Sequence, residues 1–144
     1  MGAFMDNYKI DIIKKIAQEL DCGNNCYYNL KTDEIVAIPN FSDSIDAEEF
    51  KDLFKSEIKK VENENSNFIK IKALENFETF KIIEQFVKQI TDLEFRTVLE
   101  VILENQKPFQ NFKNSIDHSN YRQDWFDFKQ EYLEKLVKTK LTVH

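Results

Sequence analysis

A chain of 144 residues with a net charge of −6, holding 26 Asp and Glu against 20 Lys and Arg, is a poor nucleic-acid binder, because that affinity comes from cations placed on phosphates. Its 42% hydrophobic content is too high for a disordered segment and ordinary for one globular domain. Two Gly and two Pro leave few sharp turns, which favours helices with short polar connections over a many-stranded barrel.

No apolar run approaches the ~20 residues of a membrane span. The start, MGAFMDNYKID, lacks a basic region followed by an apolar one, so no signal peptide is expected. Asp6 breaks the N-myristoylation pattern. The cytoplasm is the expected location.

Residues 1–6 read as a disordered end. From Asn7, with Asp6 or Asn7 as cap, Ile10, Ile13, Ala17 and Leu20 recur at helical spacing. The run from Cys22 to Asn25 contains Gly23, which accepts the backbone found just past helix ends. Cys26 to Leu30 then alternates, with Cys26, Tyr28 and Leu30 on one face and Tyr27 and Asn29 on the other. A turn over Lys31–Glu34 leads to a second strand, Ile35 to Ile38, ended by Pro39. After a loop over 40–45, Asp46 to Glu49 has the form of a capping box. It opens a helix carrying Phe50, Leu53, Phe54, Ile58 and Val61. Phe68 to Lys72 alternates again and predicts a third strand.

The remainder reads as helical. A helix capped by Asn76 turns Phe77, Phe80, Ile83, Val87 and Ile90 inward. A second, after the capping box Thr91–Glu94, buries Phe95, Val98, Leu99, Ile102 and Leu103. Pro108 opens a short helix with Phe109, Phe112 and Ile116. Ser119 or Asn120 caps the last, with Tyr121, the only Trp (Trp125), Phe128, Tyr132 and Leu136 down one side. The expected fold class is therefore α+β: a small three-stranded antiparallel sheet with about six helices, and an all-helical C-terminal half. The last four helices should pack around the Trp125 and Phe109 cluster. A single domain over 7–140 is expected, with halves dividing near residue 73.

The hairpin Tyr28-Asn29-Leu30-Lys31-Thr32-Asp33-Glu34-Ile35-Val36 resembles the strand-turn-strand opening a group of small bacterial proteins known only as an uncharacterised family. The segments Ile83–Val87 and Leu93–Arg96 with Leu99 resemble its middle. The spacing Phe109-x-x-Phe112-Lys113, followed by Trp125-Phe126-x-Phe128, resembles its aromatic C-terminal half. The resemblance spans about residues 7–137. It implies this segment order, and brings no reaction, cofactor or partner. The chain departs in two places: the family usually has Gly where Asp33 stands, and tends to end its last helix on Trp-Leu rather than Lys140-Leu141.

The chemistry-bearing residues are few. Cys22 and Cys26 are too few for a zinc site without His partners; they read as reduced structural cysteines, with a redox thiol pair as the alternative. His118 lies between Asp117 and Ser119 and reads as a polar turn residue rather than a general base. No Gly-rich phosphate loop or Gly-x-Ser-x-Gly elbow occurs, and carboxylates such as Glu100 and Glu104 read as solvated helix faces. No catalytic residue, metal or cofactor is expected. Only Arg96 and Arg122 depart from the preference for Lys, and each is expected in an ion pair, or at a ligand where a planar donor is needed. The candidate binding residues are Tyr27, Asn29, Arg122 and Phe126. Phe126 lies one residue off the Trp125 side, where an exposed ring beside Arg122 could anchor a partner. The leading expectation is a non-enzymatic interaction module that binds another protein or itself. The alternative is a small-molecule binder or weak enzyme with a pocket between sheet and helices lined by Tyr27, Asn29 and Arg122.

Overall fold

The computed structural model describes residues 2–40 and 47–142. The expected loop over 41–45, the cap Asp46 and the core position of the Phe50 side chain lie outside the described residues. The fold is α+β. Its elements are α1 (Gly2–Asp21), β1 (Asn24–Asn29), β2 (Ile35–Pro39), α2 (Ala47–Leu53), α3 (Lys55–Asn63), β3 (Phe68–Ile71), α4 (Asn76–Gln89), α5 (Leu93–Leu103), α6 (Pro108–Asp117) and α7 (Arg122–Thr142). A single 3-10 turn at Asn65–Asn67 precedes β3.

Helical backbone runs from Gly2, earlier than the start expected at Asn7. The segment from Gly2 to Asp6 holds no Pro and no β-branched residue to stop the helix. The helix expected after the loop is divided in two at Phe54, whose backbone (φ −111°, ψ 21°) leaves the helical region.

Contacts divide the chain into two compact units, Met1–Leu74 with Leu133–His144, and Glu75–Tyr132. The first of these units runs to Leu74, and the end of the chain, from Leu133, belongs with it rather than with the helical unit.

In the first unit the strands are antiparallel in the order β2-β1-β3. Tyr28 lies opposite Ile35 on one side and Ile69 on the other, and Cys26 opposite Ala37 and Ile71. The alternation of a strand therefore gathers Cys26, Tyr28, Ile69 and Ile71 on one face. That face packs with Ile12, Ile16, Ala17 and Leu20 of α1 and with Leu133 and Val137 of α7. On the other face Tyr27, Val36, Ile38 and Phe68 pack with Phe54, Ile58 and Val61. Full burial of each aliphatic side chain is worth roughly 1.5–3 kcal/mol. Leu30, expected on the Tyr28 face, is 52% exposed because β1 ends at Asn29 and the chain has already entered the turn.

The second unit is built from α4, α5, α6 and the start of α7. Its core holds Ile83, Phe86, Val87, Ile90, Leu99, Phe112 and Ile116, with Phe109, Tyr121, Trp125 and Phe128 packed against them. Phe86 meets Trp125 at 5.3 Å and Phe128 at 5.4 Å, and Phe112 meets the indole edge-on at 5.1 Å. Such pairs add about 0.5–1.5 kcal/mol each beyond burial. The aromatic cluster thus forms as expected, but only part of α7 serves it. Beyond Tyr132 the buried residues are Leu133 and Val137, both in the first unit's core. Phe77 and Val98, expected inward, are 59% and 51% exposed. α4 buries Ile82, Ile83, Phe86 and Val87, a face turned away from Phe77.

Because Leu133 is fully buried against α1 and the sheet, Leu133→Ala should lower stability by about 2–5 kcal/mol in urea unfolding followed by circular dichroism. The exposed Lys138→Ala should stay within about 0.5 kcal/mol of the parent. A loss under about 1 kcal/mol at Leu133 would remove α7 from that core.

Candidate functional site

The four expected binding residues fall in different places. Tyr27 and Asn29 belong to the first unit, Arg122 and Phe126 to the second. Tyr27 is half-buried against α3, with the Lys70 ammonium 5.8 Å above its ring. Asn29 is buried, and its side-chain oxygen is already used. Oδ1 accepts from the backbone N–H of Lys31 at 2.8 Å and of Thr32 at 3.1 Å. It therefore holds the hairpin turn in the manner of an Asx turn. Arg122 and Phe126 are one helical turn apart near the start of α7. Phe126 is 52% exposed, and the exposed Arg122 side chain puts Nε 3.9 Å from Asp117 Oδ1. Arg96, the other expected ion-pair residue, forms none among the described residues.

Both cysteines are free thiols. Cys22 is exposed, whereas Cys26 is fully buried, with Sγ 3.8 Å from the Ile16 carbonyl it donates to. Burial, helped by the Glu19 carboxylate, pushes the Cys26 thiol up from its ordinary value to about 12. A thiol held neutral in this way is a poor nucleophile. His118 ends α6, where its Nδ1 donates to the Asn114 carbonyl at 2.7 Å. Among the described residues no group of His, Cys, Asp and Glu is arranged to hold a metal, and no helix is long and apolar enough to cross a membrane.

Two open grooves lie on the second unit. One, of about 310 Å³, runs between α4 and α7 and is lined by Phe86, Gln89, Tyr121, Asp124, Asp127 and Glu131 among others. The other, of about 440 Å³, runs between α4 and α5. Phe80, Val87 and Leu103 form its floor, and Val101, Glu84, Glu100 and Glu104 its sides. Neither groove was expected from the sequence. A signal was nevertheless present: α5, LEFRTVLEVIL, has more apolar residues than one inward stripe can use. Leu93, Val98 and Val101 consequently stay 68%, 51% and 51% exposed.

Residues 6–141 match the family model of the uncharacterised protein family UPF0158. The chain belongs to that family. No curated protein and no solved structure matches it. The match covers nearly the whole chain, in agreement with the resemblance to an uncharacterised family. Asp33, where the resemblance implies a Gly, has a left-handed backbone. Its φ is +64°, a region where Gly is at ease and Asp is better tolerated than most residues. Asp33 also accepts from the Tyr28 hydroxyl, a bond that Gly could not make.

Two outcomes follow from this geometry. Asn29→Ala leaves two turn N–H groups without their acceptor and should cost about 1–3 kcal/mol in urea unfolding, with Asn29→Asp retaining most of it. Equal losses in both would deny the carbonyl-type acceptor its part. For the thiols, Ellman's reagent at neutral pH should titrate Cys22 alone, and both only after unfolding. The folded state keeps a proton on Cys26 that the unfolded chain releases near pH 9, so the two states differ in bound protons above that pH. Stability should accordingly be undiminished below about pH 9 and fall as pH rises from there toward 12.

Proposed function

We propose that this protein is a non-enzymatic, cytoplasmic module of a bacterial cell that works by binding another protein, or a second copy of itself. The observation that carries this reading is the surface of the helical unit. Phe77, Leu93, Val98, Val101 and Phe126 are each more than half exposed there. Single exposed apolar residues are ordinary, but several on one short helix mark a contact surface. The same unit, Glu75–Tyr132, carries eleven carboxylates against seven Lys and Arg. Such a surface attracts cationic protein partners and repels nucleic acid and anionic membranes.

The test is a full-length tagged chain, cross-linked inside its native cell and purified under denaturing conditions. Parent and Leu93→Glu/Val101→Glu chains are compared, with light scattering on the uncross-linked protein. A stoichiometric adduct or a defined oligomer that the double substitution removes is expected. A monomer recovered alone, or an adduct indifferent to these residues, would overturn the reading.

A further inference from the structure

Resting on that reading and naming the partner's chemistry, we propose that the groove between α4 and α5 receives an amphipathic, basic helical segment of a partner protein.

The floor of this groove is apolar, and Val101 extends it outward as a half-exposed wall. Three carboxylates border it: Glu84 from α4, Glu100 on α5, and Glu104 one turn later at the cap that ends α5. None of the three forms an ion pair among the described residues. Lys88 is the single cation in the lining. The carboxylates are exposed to solvent, so grouping them beside apolar surface adds little to the stability of the free chain. A partner that brings both apolar side chains and cations satisfies both features at once.

The extent of the surface selects among occupants. Leu93, Thr97 and Val101 follow one another at helical spacing along the exposed side of α5. This stripe, apolar at both ends, therefore runs beyond the groove over about 12 Å at 1.5 Å per residue. That is about two turns of a docked helix and longer than a small metabolite. A second copy joined through the same face would place the two carboxylate sets against one another, within the ~8–10 Å over which salt leaves charges visible to each other. Charge complementarity thus favours a foreign, basic segment over self-association here.

The probe is a display library of random peptides of about sixteen residues, long enough for four helical turns, selected on the immobilised full-length protein at low salt. Enriched peptides should carry several Lys or Arg interleaved with apolar residues at spacings of three and four. Fluorescence anisotropy with the best peptide should show affinity falling about tenfold or more in Glu100→Lys/Glu104→Lys and again in Val101→Asp. It should also fall several-fold on raising salt to about 0.25 M. Glu131→Lys, in the α4–α7 groove, should leave affinity within about twofold. Absence of enrichment, enrichment of peptides without cations, or indifference to Glu100→Lys/Glu104→Lys would overturn the proposal. So would an equal loss with Glu131→Lys. An in-cell adduct that survives Glu100→Lys/Glu104→Lys would also exclude this groove while leaving the interaction role standing.

Discussion

A three-stranded sheet with apolar side chains on both faces is the constraint on which the first unit depends. Three short strands cannot bury two faces by themselves, and each face needs a helical cover. α1 supplies most of one cover and α3 the other. The face beneath α1 carries Cys26, Tyr28, Ile69 and Ile71, and is completed only by Leu133 and Val137 from the far end of the chain. A long sequence separation is therefore closed by two fully buried side chains. It is this requirement that gives α7 its length, and that makes its last part aliphatic where its first part is aromatic.

α7 consequently obeys two patterns. Trp125 and Phe128 face the helical core, while Leu133 and Val137 face the sheet core. A single stripe drawn from Tyr121 through Trp125 to Tyr132 and Leu136 reaches the second pattern only at Leu136, which packs against the sheet core, and misses its buried residues Leu133 and Val137. The aromatic cluster was legible because large rings at spacings of three and four have few other uses. The hairpin was legible because period-two alternation bounded by a turn has one common reading. The split at Phe54 was not, since no Pro or Gly marks it.

The site was far less legible than the fold. Asn29 was singled out as a polar residue on a strand face, yet a polar side chain in a hairpin finds its partner first in the backbone of its own turn. Phe126 was picked out by its offset from the Trp125 side, and a helix wheel does fix that. The α4–α5 groove could not be drawn from the sequence, because it depends on how two amphipathic helices meet. α5 made this worse. With apolar residues all round, it offers several equivalent inward faces, and only packing decides that Leu99 is buried while Leu93, Val98 and Val101 are not.

That ambiguity also separates apolar residues that serve the core from those that do not. A helix needing only to cover a core would use Leu99, Phe95, Ile102 and Leu103, and could carry Lys or Glu elsewhere at no cost in stability. Leu93, Val98 and Val101 add nothing comparable, since an exposed side chain removes little area from water. They add instead an association hazard, which surface charge restrains. Here the neighbouring charges in the groove are mostly of one sign, three carboxylates against the single cation Lys88. Like-signed carboxylates keep copies of an acidic protein apart while leaving the apolar stripe open to a partner of opposite charge. On the proposed reading, the exposed stripe and the acids without an ion pair among the described residues have one physical account in common: they would discriminate among partners, and stability alone requires neither.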